Sequence, residues 1–423
     1  MSHSSGAAMA GIGFSFMAGS RFGNQGEALL LKHSFLKGTT SRSDIRIARD
    51  IENSGAAVGV KVGREQMMIS MMGDPDKLFS LGCDSLAESI MSLKTVDWNV
   101  LEIKTNYVAK ELQSLPADKL ITDQLHAAAF GQESSLGRPL YTSSSGNING
   151  TALDAYLSGS LAAPGSLKFI GAGIPHEQLV TKAKILFGSI DISDHRTKSP
   201  SPYIGGQTSL KVDIPMTHVA VAIPGAAYGS KDYAASLVLK ELLGVGSFNF
   251  NYLEAGLIGI MGVTYPSRAE DMAVSFAKSL TASYSEEEIK AAKTAVKTNM
   301  LLDLEDAQKC ISLLASTADL TQDLDSIENV TAASVEAFKS RSPPSMVSSS
   351  LHSTQTLKTL MRPSTLLSRL LLALPRQYYL LTRISSAFSK SRSQFNSDGT
   401  KTAIGYGHIL DCSCEYRGEN ILM

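Results

Sequence analysis

The chain has 423 residues, 43% hydrophobic and 19% charged, which excludes a disordered polymer and is enough length for more than one hydrophobic core. A formal net charge of −1 gives no electrostatic reason to expect nucleic acid or an anionic membrane as the main partner. The four cysteines, at positions 83, 310, 412 and 414, are too few and too scattered for a disulfide framework and fit a reducing compartment.

Residues 1 to 10 are mostly small or polar, without arginine and without an apolar run long enough for a signal peptide. Ile12 to Met17, with glycine interleaved, reads as a buried strand, Gly19 to Gly26 as a loop, and Ala28 to Leu36 as a helix. Glycine-bearing strands follow over Val58 to Met72, a helix opens at Pro75, and Trp98 to Leu115 reads as an amphipathic helix. Ser193 to Pro202 holds two prolines and no hydrophobic residue, so it reads as a linker.

Beyond the linker the pattern returns, about 200 residues later. Pro224-Gly225-Ala226-Ala227-Tyr228-Gly229, after the strand His218 to Ile223, answers Ala18-Gly19-Ser20-Arg21-Phe22-Gly23. The helix Tyr233 to Leu243 answers Ala28 to Phe35, Gly256 to Val263 answers the earlier strands, Pro266 answers Pro75, and Ile289-Lys290 answers Ile103-Lys104. Strands adjacent in sequence without obligatory crossovers imply antiparallel sheets with helices on a face, an α+β architecture of two homologous domains. The second copy is shorter between Gly244 and Gly256, where Gly244-Val245-Gly246-Ser247-Phe248 passes almost directly into Asn249-Phe250-Asn251. Neither that glycine turn nor Gly171-x-Gly173 has the context of a nucleotide site, and no cofactor is expected.

After Ser340 the composition changes, and no acidic residue recurs until Asp398. Ser345 to Ser353 is serine-rich and Leu366 to Leu381 leucine-rich, with arginines at 362, 369, 376 and 383. A basic amphipathic helix on a membrane surface is one reading. Because Pro363 and Pro375 interrupt it, the favoured reading is a divergent tail with little stable structure. Cys412-x-Cys414 is read as two incidental thiols, and the sequons at Asn149 and Asn329 carry little meaning in an intracellular protein.

Leu36-Lys37-Gly38-Thr39, directly after the helix Ala28 to Leu36, resembles the pitrilysin-type zinc metallopeptidases. In that family an H-x-x-E-H motif on such a helix precedes a phenylalanine, lysine, glycine, threonine run. The resemblance puts the first ligand histidine at Leu29, the general-base glutamate at Lys32, the second ligand histidine at His33, and the third ligand, a glutamate, at Glu111. Leu125-His126-Ala127-Ala128-Ala129-Phe130 and Leu136-Gly137-Arg138-Pro139-Leu140 resemble the family's next helix and turn.

Leucine cannot ligate and lysine cannot act as the base, so the four positions are expected to be vestigial, with no metal site and no catalytic residue. Glu111 is expected to be a surface carboxylate, and His33 and His126 packing or surface histidines. The resemblance covers residues 11 to 340 and implies the family's fold, with a domain over 1–192, a linker over 193–202, a shortened domain over 203–345 and the tail over 346–423. A first strand present in relatives is expected to be missing, as is the last strand of the second domain.

Within the family the likeness is to the non-catalytic branch. That implies a structural core subunit of the mitochondrial ubiquinol–cytochrome c reductase, on the matrix side of the inner membrane. Its partners would be a homologous core 1-like subunit, cytochrome b, cytochrome c1 and the Rieske protein. Two alternatives stay open: a presequence-binding subunit like the processing peptidase alpha subunit, and a zinc endopeptidase.

Overall fold

The computed structural model describes residues 2–3, 9–142, 148–163, 165–188, 201–212, 214–316, 320–341 and 347–352. The first sheet is built from β1 (Ser2–His3), β2 (Ala10–Phe16), β3 (Ala57–Val62), β4 (Met67–Gly73) and β5 (Lys168–Ala172), in the order β1-β5-β2-β4-β3. The second comprises β6 (Gly206–Lys211), β7 (Thr217–Gly225), β8 (Ser247–Asn251), β9 (Gly256–Thr264) and β10 (Val347–His352), in the order β6-β10-β7-β9-β8. Each order maps onto the other strand for strand. In both, the outermost pair (β1 with β5, β6 with β10) is parallel and every other pairing antiparallel. The repeat read from the sequence is therefore a repeat of topology.

In the first half, α1 (Glu27–Ser34) and α2 (Asp44–Ser54) lie between β2 and β3. After β4, α3 (Pro75–Lys77) runs through a π turn (Leu78–Gly82) into α4 (Cys83–Met91). Next, α5 (Asp97–Ile103) continues through a second π turn (Lys104–Val108) into α6 (Ala109–Gln113), followed by α7 (Ala117–Phe130), α8 (Gly150–Ala162) and, past β5, α9 (His176–Phe187). The second half adds α10 (Tyr233–Leu243), α11 (Ala269–Thr281), α12 (Glu286–Glu305), α13 (Ala307–Ser316), α14 (Leu320–Glu328) and α15 (Ala332–Arg341). Helix α12 begins with a full capping box, in which Ser285 and Glu288 each bond the other's backbone N–H.

Alternation along β2 shows how the layers assemble. Ile12, Phe14 and Phe16 face one way, into a core shared with Leu29, Leu30 and Leu31 of α1 and with α4, α5 and α8. Gly11 and Gly13 face the other way, where α13 of the second half lies across β2, β4 and β5. The glycines are needed for this approach. A Cβ on Gly13 would fall 2.6 Å from Ile311 Cγ2, and one on Gly11 2.6 Å from Ile311 Cδ1. Cys310, Ile311 and Ala315 bury themselves there with Met68, Ile170 and Ala172, and Lys168 Nζ donates to the Ala315 carbonyl (2.8 Å) in the last turn of α13.

The exchange is reciprocal. Along β7, Val219, Val221 and Ile223 face a core made with α10, α11, α12 and α15, while the small Ala220 and Ala222 face α7 of the first half. Ile121, Leu125, Ala129 and Phe130 of α7 pack there with Phe248 and Leu257. Each half thus provides the helix that covers the far face of the other half's sheet.

Several expectations need correction. A short strand, β1, pairs with β5 at the place where a first strand was expected to be missing. The second half also has its terminal strand, since β10 is hydrogen-bonded to both β6 and β7. Residues 347–352, assigned to a poorly ordered tail, therefore belong to the sheet. Composition misses them because Ser345 to Ser353 is serine-rich and lacks the apolar run or alternation that marks a strand. Trp98 to Leu115 was expected to be one regular helix and instead contains the π turn at Lys104–Val108. Residues 193–200 of the linker, the arginines at 362, 369, 376 and 383, Cys412 and Cys414 lie outside the described residues.

Truncating the exchanged helix tests this architecture. Ile311→Ala should lower unfolding stability by about 2–5 kcal/mol in urea titration. Hydrogen exchange should rise along β2 and β4 as well as in α13 itself.

Candidate functional site

Helix α1 carries Leu29, Lys32 and His33, three of the four positions that the resemblance aligns with the zinc site. Leu29 points into the core and is fully buried, whereas Lys32 and His33, one turn later, reach towards α6. The π turn before α6 holds one residue more than an α turn, which rotates the following face by about 100°. Glu111 then lies against α1.

Both carboxylate oxygens of Glu111 are taken. Lys32 Nζ donates to Oε1 at 2.6 Å, and His33 Nε2 donates to Oε2 at 2.6 Å. The three side chains are only 20%, 20% and 17% exposed, in the order Lys32, His33 and Glu111, so the cluster is largely shielded from solvent. The hydrogen bond from His33, reinforced by Lys32, holds the Glu111 carboxyl down to about 2 against the opposing effect of burial. Glu111 is therefore not the surface carboxylate expected from the sequence, and His33 is its partner.

A zinc site of the family's kind needs two imidazoles and one carboxylate as ligands around one point, with a second carboxylate beside it as general base. Here one imidazole and one carboxylate meet, with an ammonium bonded to the same carboxylate and a buried leucine in place of the second imidazole. Among the described residues, no three His, Cys, Asp or Glu side chains converge as metal ligands would. The residues present do not fit the family's metal. Beside the cluster lies a cavity of about 360 Å³. It is lined by Lys37, Arg42, Lys94, Trp98 and Tyr107 among others, and not by Leu29, Lys32, His33 or Glu111.

Sequence reasoning missed a second polar assembly, where the turn after β8 enters the first half. Arg21, buried in the loop before α1, pairs with Glu65 and with Glu254 (2.7 Å), and the Leu253 N–H donates to both oxygens of Glu65 (3.2 and 3.0 Å). Arg64 pairs with Asp123 (2.5 Å) and donates to the Leu136 carbonyl (2.9 Å). The Asp123 carboxylate also accepts from Tyr141 N–H (2.9 Å). His126, fully buried, donates from Nδ1 to the Thr122 carbonyl (2.7 Å), so its Nε2 accepts from the Tyr252 hydroxyl (2.6 Å). Burial, with the Arg64 guanidinium nearby, pushes His126 well below the ordinary histidine value. The imidazole is thus a neutral link between the halves. Nothing local in Gly19-Ser20-Arg21-Phe22-Gly23 signals this burial, because the carboxylates that pair with Arg21 come from distant segments, at Glu65 and Glu254.

Comparison with known proteins gives a consistent picture. The family model described as insulinase, peptidase family M16, matches residues 1–144, and the peptidase M16 inactive domain matches residues 161–247. The chain is 28% identical over 350 residues to the mitochondrial-processing peptidase subunit beta of Bos taurus, covering 72% of this chain and 70% of that protein. It is 25% identical over 349 residues to subunit alpha-2 of the same peptidase from Dictyostelium discoideum, covering 73% and 77%. A chain in a structure of complex III2 from Candida albicans with Inz-5 bound superposes with a TM-score of 0.71 at 15% identity. That alignment covers 87% of this chain and 96% of the other, and it establishes a shared fold.

Neutralising the carboxylate probes the cluster. Glu111→Gln should cost about 1–2 kcal/mol at neutral pH, reduced from the buried-pair range by partial exposure. Since the folded value of Glu111 lies below its ordinary 4.5, its contribution is complete above that pH and is lost as pH falls towards 2. The stability difference between wild type and Glu111→Gln, followed by denaturant titration, should shrink over that interval.

Proposed function

Because the chain belongs to the insulinase-type peptidase family M16, we propose that it is a non-catalytic member, a core 2-like subunit of the mitochondrial ubiquinol–cytochrome c reductase. The observation that carries this reading is the pairing of Lys32 and His33 with Glu111. It uses up the only carboxylate of the motif and puts a cation where catalysis would need a base. The role is structural. A domain over residues 1–192 and a second from residue 203 pair with a homologous core 1-like subunit. That pair sits on the matrix side of the inner membrane, with cytochrome b, cytochrome c1 and the Rieske protein as neighbours. Among the described residues no helix is long and apolar enough to cross a membrane, which is compatible with a peripheral position.

A second reading is a subunit of the processing peptidase, favoured by the beta and alpha-2 relatives. An alpha-like subunit binds presequences through a glycine-rich loop after the equivalent of α10. Here only Gly244, Val245 and Gly246 separate α10 from β8, which weighs against that use. A zinc endopeptidase is disfavoured by Leu29 and Lys32.

Gentle solubilisation of mitochondria, native electrophoresis and mass spectrometry of the band holding this chain should recover cytochrome b, cytochrome c1 and a core 1-like protein. Recovery only as a free monomer would overturn the proposal. Recovery with a processing-peptidase subunit would establish the second reading.

A further inference from the structure

We propose that Lys32 serves as a built-in cation in place of the divalent ion that the fold family implies, so that Lys32, Glu111 and His33 staple α1 to α6 without a metal. The inference rests on the non-catalytic reading above and extends it to what the remnant of the site does.

The geometry supports more than an incidental surface pair. Exposed ion pairs contribute little because solvent screens them and long side chains must be ordered, but here the three side chains are mostly shielded and one carboxylate takes a donor on each oxygen. The partners come from elements about 80 residues apart in sequence, so the contact ties distant segments rather than neighbours. Two features adapt the surroundings to it. The π turn at Lys104–Val108 turns Glu111 towards α1, and Leu29 closes the inner side with an apolar side chain where a polar ligand would have needed a partner. Lys32 balances the charge of Glu111, so a metal ion would have to displace an ammonium bonded at 2.6 Å.

Removing that ammonium has a defined consequence. It leaves a shielded carboxylate and an imidazole facing each other, a donor pair that accepts a cation from solution.

The test uses the purified full chain with zinc chloride as probe, read by melting midpoint and by calorimetric titration. Wild type should show no zinc uptake that depends on Glu111, and the same midpoint in zinc and in chelator. Lys32→Gln should melt about 2–4 °C lower and recover at least half of that loss in zinc. Lys32→Arg, which keeps the charge, should melt near wild type and ignore zinc. Adding Leu29→His to Lys32→Gln should tighten zinc binding at least about tenfold. The proposal is overturned if wild type takes up stoichiometric zinc that Glu111→Gln abolishes, or if Lys32→Gln melts like wild type and ignores zinc. Should Lys32→Gln fail to fold, the wild-type titration and the Lys32→Arg midpoint still decide: zinc uptake by wild type, or a zinc-dependent Lys32→Arg midpoint, counts against it. A chain that shows the expected zinc behaviour yet never joins the respiratory complex overturns the proposed function alone.

Discussion

The fold depends on one packing constraint: neither sheet can bury both faces with helices from its own half. Gly11 and Gly13 clear a trough on β2 that α13 fills, and Ala220 and Ala222 clear another on β7 that α7 fills. Apolar surface left open on that scale is strongly unfavourable at about 25 cal/mol per Å². The two halves are consequently parts of one cooperative object, and both sheets fall within a single compact unit, residues 1–375.

Polar contacts then fix how the halves meet. Apolar faces alone tolerate sliding, because dispersion and the hydrophobic effect have little directionality. Arg21 held between Glu65 and Glu254, and Tyr252 bonded to His126, do not tolerate it. Buried ion pairs of this kind are weak sources of net stability, since desolvation offsets most of the attraction. Their effect is to make one arrangement far better than its neighbours. The same logic holds between α1 and α6, where Lys32 and His33 satisfy the Glu111 carboxylate that would otherwise be stranded.

Much of this was legible in the sequence. The strand at Ile12 to Met17 is observed one or two residues earlier, the helix at Ala28 to Leu36 is observed as Glu27–Ser34, and the repeat is visible in the topology of both sheets. The motif brought Leu29, Lys32, His33 and Glu111 to one place, and the structure brings the last three into contact. What escaped was non-local. That Glu111 is shielded depends on a π turn, which leaves no hydrophobic period to read. The glycines interleaved with large residues mark a buried strand in the sequence, but the helix that Gly11 and Gly13 make room for, α13, lies about 300 residues away. Strand β10 sat in a serine-rich run whose place between β6 and β7 follows from the repeat rather than from its own residues.

Strand β10 has a consequence for synthesis. It lies between β6 and β7 although it is made after every other described strand. While the chain is growing, β6 has no neighbour to pair with, and β2 lacks its cover until α13 has left the ribosome. The amino-terminal half, described as far as residue 188 before the linker, therefore has one sheet face that stays open until the second half is present, unlike a domain that folds by itself. Completion of both sheets waits for α13 and β10. Until both are in place the chain carries open sheet edges and uncovered apolar faces, the kind of surface that favours aggregation.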